Sequence, residues 1–84
     1  MVTTIDRVRI ILGDVLQLGQ RRDNLTVESP LLGSIPELDS MAVVGLISAL
    51  EEQFDIVIDD DELDASIFAT LGSLATFVTQ KLQG

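Results

Sequence analysis

Four residue types are missing from this 84-residue chain: cysteine, histidine, tryptophan and tyrosine. Without cysteine, the chain can build neither a disulfide framework nor a thiolate metal site. Without histidine, it lacks the usual general base near neutral pH and every Ser–His or Cys–His nucleophilic arrangement. Because only carboxylates, hydroxyls and five cations remain, we expect a protein that is not an enzyme.

Basic residues are also scarce, since five lysines and arginines stand against fourteen acidic residues and give a net charge of −9. Nucleic acid and anionic membrane surfaces would repel such a chain, whereas proteins with basic patches would attract it. No apolar run is long enough to span a bilayer, and no secretory signal pattern is present. We therefore expect a cytoplasmic, monomeric protein that forms a single domain over residues 1–84.

The stretch from Asp39 to Phe54 predicts a strongly amphipathic helix. At 100° per residue, one arc of about 100° collects the apolar side chains that we expect to be buried: Val43, Leu46, Ile47, Leu50 and Phe54. Asp39 and Ser40 both suit the N-cap position, and either one could begin the helix.

The opposite face of this helix places exposed apolar side chains beside a hydroxyl. Met41 and Val44 would lie next to Ser40, and Gly45 leaves the surface bare. Taken alone, Asp39-Ser40 is most simply a helix cap, because capping is common. The exposed apolar neighbours favour a docking surface around the serine.

Two further helices flank this one. The first would be capped by Thr3 or Thr4, would end at Gly19, and would bury a stripe with Ile11 and Leu18 at its fringe: Ile5, Val8, Leu12, Val15 and Leu16. The last would be capped by Thr70 and would bury a second stripe, with Phe77 at its edge: Leu71, Leu74, Val78 and Leu82.

A long connection, residues 20–38, separates the first two helices, and prolines and glycine punctuate it. We expect its apolar side chains to pin it to the helices: Val27, Leu31, Leu32, Ile35 and Leu38. A short helical turn near Ser66–Ala69 would anchor Phe68 or Ile67. These elements predict an all-α fold, a small bundle of three to four helices with a long loop between helices 1 and 2.

The acidic run Asp59-Asp60-Asp61-Glu62 raises the question of a calcium site. The central glycine and the ligand spacing of an EF-hand loop are absent, so we expect a solvated acidic turn and no metal site. An acidic metal-binding domain remains a rival hypothesis.

The arrangement resembles the acyl carrier protein family. The family has a long loop after its first helix and then Asp-Ser-Leu or Asp-Ser-Met at the start of a second helix with an acidic, Phe-containing end. The matching stretches here are Leu38-Asp39-Ser40-Met41, Ala49-Leu50-Glu51-Glu52-Gln53-Phe54 and Ile58. The resemblance covers roughly Ile5 to Leu82 and matches the predicted bundle of acyl-carrier type.

The resemblance implies a function. A phosphopantetheinyl transferase would attach a 4′-phosphopantetheine arm from coenzyme A to Ser40, beside Asp39. Acyl groups would be carried on this arm as thioesters, as in fatty acid or polyketide biosynthesis. Acyl-loading and acyl-transferring enzymes with basic docking patches would contact Met41, Val44, Glu51 and Glu52.

Two departures from the fatty-acid carriers indicate a carrier of a dedicated pathway. Ala42 and Gly45 stand where those carriers usually have acidic residues, and the stretch after Ile58 is slightly longer, as in carriers of D-alanine. The alternatives are therefore a D-alanyl, aminoacyl or peptidyl carrier, or a helical interaction module in which Ser40 is only a cap.

Overall fold

Three α-helices form the framework of the part of the chain that the structure describes. The computed structural model describes residues 3–31, 33, 35 and 38–83. Helix α1 spans Thr4–Val15, α2 spans Ser40–Phe54 and α3 spans Leu71–Gln83. The predicted all-α bundle, with its long connection between the first two helices, is confirmed.

Within the described stretches of the connections, short 3-10 helices lie at Gly19–Asn24, Asp60–Glu62 and Ala65–Phe68. The residues described include a single isolated β-bridge, between Pro30 and Thr70, and no sheet. The 3-10 helix at Ala65–Phe68 is the helical turn that the sequence predicts, and Phe68 is its buried anchor.

One core joins the three helices to the long connection. The largest fully buried side chains have a relative exposure below 2%. They are Val8, Leu12, Leu31, Leu46, Leu50, Leu71, Leu74 and Val78. Each helix contributes the face that its apolar periodicity predicts, and Leu31 shows that the connection belongs to the core as well.

Helix α1 begins as predicted but ends earlier. Thr3 is the N-cap, and its hydroxyl accepts a hydrogen bond of 3.2 Å from the Asp6 N–H. The prediction that Gly19 ends the helix is wrong, because Gln17 already adopts a left-handed conformation with φ 54°. The Leu18 N–H then donates to the Gly13 carbonyl at 3.0 Å and closes the helix end.

The connection is held mainly through its backbone. The Leu31 N–H donates to the Ala69 carbonyl at 3.1 Å, and the Val27 carbonyl accepts from the Gly72 N–H at 2.9 Å. Leu31 and Leu38 are buried as predicted, whereas the Val27 side chain is 57% exposed although its Cγ1 lies against Gly72 of α3. Leu32 lies outside the described residues.

Helix α3 packs along most of its length. Leu71, Leu74 and Val78 are buried as predicted, but Leu82 is 46% exposed. That part of the prediction is wrong because Leu82 lies in the last turn, beyond the last buried residue.

The acidic run folds back on the end of α3. Both carboxylate oxygens of Glu62 accept hydrogen bonds from the Lys81 ammonium, at 2.8 and 2.9 Å. This bond, together with one from the Asp59 N–H, lowers the pKa of Glu62. Among the described residues, no group of three or more acidic side chains is arranged to hold a metal ion.

Candidate functional site at the start of helix α2

Asp39 is the residue that caps α2. Its backbone is extended, with φ −114° and ψ −174°, and its Oδ1 accepts a hydrogen bond of 2.8 Å from the Ala42 N–H. Ser40 is therefore the first residue of the helix and not its cap. Of the two N-cap residues that the sequence allows, the backbone selects Asp39.

The Ser40 hydroxyl has no role in holding the helix. Its side chain is exposed, and no hydrogen bond of this hydroxyl is found in the part of the chain that the structure describes. The first N–H groups of a helix carry the positive end of its dipole and favour a bound phosphate group. The arrangement thus combines an accessible hydroxyl with an environment that stabilises a phosphoester.

Exposed apolar side chains surround this hydroxyl, as the helix periodicity predicts. Met41 is 82% exposed and Val44 is 65% exposed. Gly45 and Ser48 are also exposed and add little bulk. The result is an exposed, largely apolar surface next to Ser40 that a partner protein can approach closely.

The opposite face fixes α2 to the rest of the molecule. Leu46 and Leu50 are fully buried, and Phe54 is 6% exposed. The Arg7 guanidinium lies 4.2 Å from the centre of the Phe54 ring and donates a 2.8 Å hydrogen bond to the Gln53 carbonyl. These contacts hold both helices in register beneath the exposed face.

The two predicted acidic contact residues have different environments. Glu52 is exposed, whereas Glu51 is half-buried and its Oε2 accepts a 2.8 Å hydrogen bond from the Ile58 N–H. Glu51 therefore fastens the segment that follows α2. Sequence reasoning missed this bond and the Arg7 contact, because both join residues that only the fold brings together.

Membership of a known family follows from the comparison with other proteins. The family model described as "Phosphopantetheine attachment site" matches residues 6–78. The acyl carrier protein of Clostridium perfringens is 33% identical over 75 residues, which cover 89% of this chain and 92% of that protein. The same protein from two further strains matches equally.

A solved structure agrees. The solution NMR structure of a holo acyl carrier protein from Nitrosomonas europaea superimposes with a TM-score of 0.90 and is 62% identical in sequence. The match covers 95% of this chain and 96% of that one.

None of the helices in the described part of the chain is long and apolar enough to cross a membrane. Proteins of the matched family are generally non-catalytic and interact with partner enzymes. The chain belongs to the acyl carrier protein family, and its cofactor is a covalently attached 4′-phosphopantetheine.

Proposed function

We propose that Ser40 is the attachment site of the phosphopantetheine arm. A phosphopantetheinyl transferase loads it from coenzyme A, and acyl-loading and acyl-transferring enzymes then act on the thioester at the end of the arm. The carrier is a cytoplasmic monomer, and residues 1–84 act as one domain.

The observation that supports this proposal most directly is the free hydroxyl of Ser40. Asp39 supplies the cap, so the serine hydroxyl is left exposed at the helix start. In the loading step, the Ser40 oxygen forms a bond to the phosphorus that carries the pantetheine. The bond between this phosphorus and the adenosine bisphosphate half of coenzyme A breaks, that half leaves, and the hydroxyl proton passes to a base of the transferase.

Asp39 and the surrounding surface have supporting roles. Asp39 keeps the helix start ordered through its bond to the Ala42 N–H. Met41 and Val44 provide apolar contact area for the partner enzymes, and Glu52 attracts their basic patches. Glu51 contributes charge from a fixed position, since Ile58 holds its carboxylate.

Intact mass spectrometry tests the proposal. The protein is incubated with coenzyme A and a broad-specificity phosphopantetheinyl transferase, and we expect the wild type to gain the mass of one phosphopantetheine. Ser40→Ala should gain none. Ser48→Ala is the matched control, because Ser48 is an exposed serine two turns along the same helix, and it should be loaded like the wild type.

The outcome that would refute the attachment site is equally clear. If Ser40→Ala still gains the mass, or if the wild type gains none with several transferases, Ser40 is not the site. A loaded Ser40→Ala variant would direct attention to the other serines.

A further inference from the structure

Helix α1 has a line of exposed residues that takes no part in the proposed attachment of the arm. These residues are Arg7, Ile10 and Asp14, and the Ile10 side chain is 43% exposed. Because they are three and four residues apart, they lie on one side of the helix. We call them the α1 stripe, which runs from a cation through an aliphatic side chain to an anion.

Ile10 borders two shallow grooves where α1 packs against α2. Ile10 and Ile11 line both grooves, which have volumes of about 160 and 210 Å³. The first groove extends to Asp14 and Ala49, and the second extends to Arg7. An aliphatic side chain from another molecule has room to pack beside Ile10 and to cover apolar surface there.

Asp14 occupies an unfavourable position in the isolated chain. It lies in the last turn of α1, where the helix dipole favours cations, and that turn contains no basic residue. No hydrogen bond or ion pair of its carboxylate is found among the residues that the structure describes. A cation brought to Asp14 from outside the chain would therefore stabilise the end of α1.

Arg7 is a cation of the required kind at the other end of the stripe. One of its N–H groups donates to the Gln53 carbonyl, and its guanidinium lies over the Phe54 ring. A guanidinium has five N–H donors, so others remain available. The helix rise places Arg7 and Asp14 roughly 10 Å apart along the axis, which is too far for the two to pair within one chain.

We propose that two copies of this chain associate through their α1 stripes, as an antiparallel dimer in equilibrium with the monomer that carries the arm. A twofold axis near Ile10 brings Arg7 of each copy opposite Asp14 of the other, because both residues are nearly equidistant from Ile10. The two Ile10 side chains pack together in the adjoining grooves. The stripe is small, so the dimer is a weak one.

The antiparallel direction also offsets part of the repulsion between two chains that each carry a net charge of −9. Arg7 binds the end of α2, where Asp55 is exposed. Arg22 packs on Gly13, at the opposite end of the stripe. In antiparallel chains, Arg22 of one copy lies toward the acidic end of α2 in the other, whereas parallel chains would bring like charges together.

The dimer leaves the surface around Ser40 uncovered. Ala49 lines the groove beside α1, and Ser40 precedes it by nine residues, which is about two and a half helical turns. Ser40 therefore lies on the opposite side of α2 from the groove. Both copies can carry a phosphopantetheine arm, so that one particle presents two thioesters.

Sedimentation equilibrium measures the association directly. The apparent mass of the wild type should rise from that of one chain toward that of two as the protein concentration is raised to about 1 mM. Ile10→Gln should raise the dissociation constant about tenfold or more, because it puts a polar amide where two isoleucines would meet. Val57→Gln is the matched control, since Val57 is 71% exposed outside the stripe, and it should associate like the wild type.

Charge reversal tests the pairing of Arg7 with Asp14. Asp14→Arg should abolish the association, although it lowers the negative net charge and would strengthen a nonspecific one. Glu28→Arg makes the same change in net charge at an exposed position of the connection and should not weaken the dimer. Arg7→Glu alone should be monomeric, whereas its equimolar mixture with Asp14→Arg restores both pairs and should associate.

Several results would overturn the dimer. They are a wild type that stays a single chain up to about 1 mM, an Asp14→Arg variant that associates like the wild type, and a mixture of the two folded charge variants that does not associate. Asp14→Arg should be loaded with phosphopantetheine like the wild type, and a block of loading would show that the stripe meets the transferase instead of a second copy. Circular dichroism verifies the fold of each variant, and if Arg7→Glu is unfolded, Asp14→Arg and Ile10→Gln decide with their controls.

Discussion

The starts of α2 and α3 are both capped by side-chain oxygens, but with different consequences for the hydroxyl groups at each start. At α3, the Thr70 hydroxyl accepts a hydrogen bond from the Ser73 N–H, and the Ser73 hydroxyl accepts one from the Thr70 N–H, both at 3.0 Å. At α2, Asp39 forms the cap, and the Ser40 hydroxyl makes no hydrogen bond to any residue that the structure describes. One helix start engages its hydroxyls in the fold, and the other presents a hydroxyl to solvent.

The two helix starts also differ in what covers them. The long connection crosses the start of α3, where the Leu71 N–H donates to the Ser29 carbonyl and the Gly72 N–H to the Val27 carbonyl. Among the described residues, none covers Met41 or Val44 at the start of α2 in this way. The start of α3 therefore uses its hydroxyls in a local cap and is covered by the connection, whereas at α2 a carboxylate forms the cap and the Ser40 hydroxyl is left exposed.

The largest stability effect should come from filling one glycine in each helix, Gly72 at the start of α3 and Gly45 in the second turn of α2. In Gly72→Ala, the new β-carbon would lie 2.6 Å from Val27 Cγ1 and 2.9 Å from the Val27 carbonyl oxygen. We expect a loss of about 1–3 kcal/mol in the free energy of unfolding, measured by urea denaturation. Gly45→Ala should instead stabilise by up to about 1 kcal/mol, because alanine favours the helix. Equal effects of the two substitutions would show that the two glycines are covered alike.

Removing the hydroxyl at each start gives the next largest contrast. Thr70→Ala should lower the free energy of unfolding by about 1 kcal/mol, because it deletes the cap of α3. Ser40→Ala should change it by less than about 0.5 kcal/mol, since no bond is lost. For a domain of this size, 1 kcal/mol corresponds to about 4–8 °C in Tm, which thermal unfolding resolves easily. A Ser40→Ala variant that loses as much stability as Thr70→Ala would mean that Ser40 is a structural cap.

Exchanging the cap of α2 should separate the hydrogen bond of Asp39 from its charge. Asp39→Ala should lower the free energy of unfolding by about 1 kcal/mol, whereas Asp39→Asn keeps the oxygen acceptor and should change it by a few tenths. Chemical denaturation of both variants measures the difference. If Asp39→Asn is as unstable as Asp39→Ala, the charge rather than the hydrogen bond holds the helix start.

Acid pH should produce the smallest change in stability, through the ion pair of Glu62 with Lys81 in the last turn of α3. The Lys81 bond lowers the pKa of Glu62 below its ordinary value of 4.5. A lowered folded-state pKa stabilises the fold above the ordinary value, and this contribution disappears as the pH falls through the folded-state pKa. The Tm difference between wild type and Glu62→Gln should therefore be constant above pH 4.5 and shrink below it. A difference that grows on acidification would contradict the ion pair.

Periodicity predicted the buried faces of the helices well, because burial along a helix repeats with the helix itself. Leu46 and Leu50 lie where the pattern places them. The end of α1 was predicted wrongly, since Gln17 adopts the left-handed conformation although a glycine follows two residues later. The pattern also carries no information about where a helix runs past the core, as Leu82 shows.

The candidate site was predictable in its residues but not in its geometry. Asp39 and Ser40 are both good caps, and only the backbone conformation and the bond to Ala42 distinguish them. The contact of Glu51 with the Ile58 N–H was beyond prediction, because it depends on the path of the chain after α2. Whether Ser40 carries the arm stays a prediction.

Locating the arm on the loaded protein is the most direct test of its attachment at Ser40. Because no lysine or arginine lies between Arg22 and Lys81, the loaded chain is cleaved after acidic residues and fragmented by electron transfer in a mass spectrometer. We expect the phosphopantetheine mass on Ser40, with Ser48 and Ser73 unmodified. The same mass on Ser48, Ser73 or any other residue would contradict it.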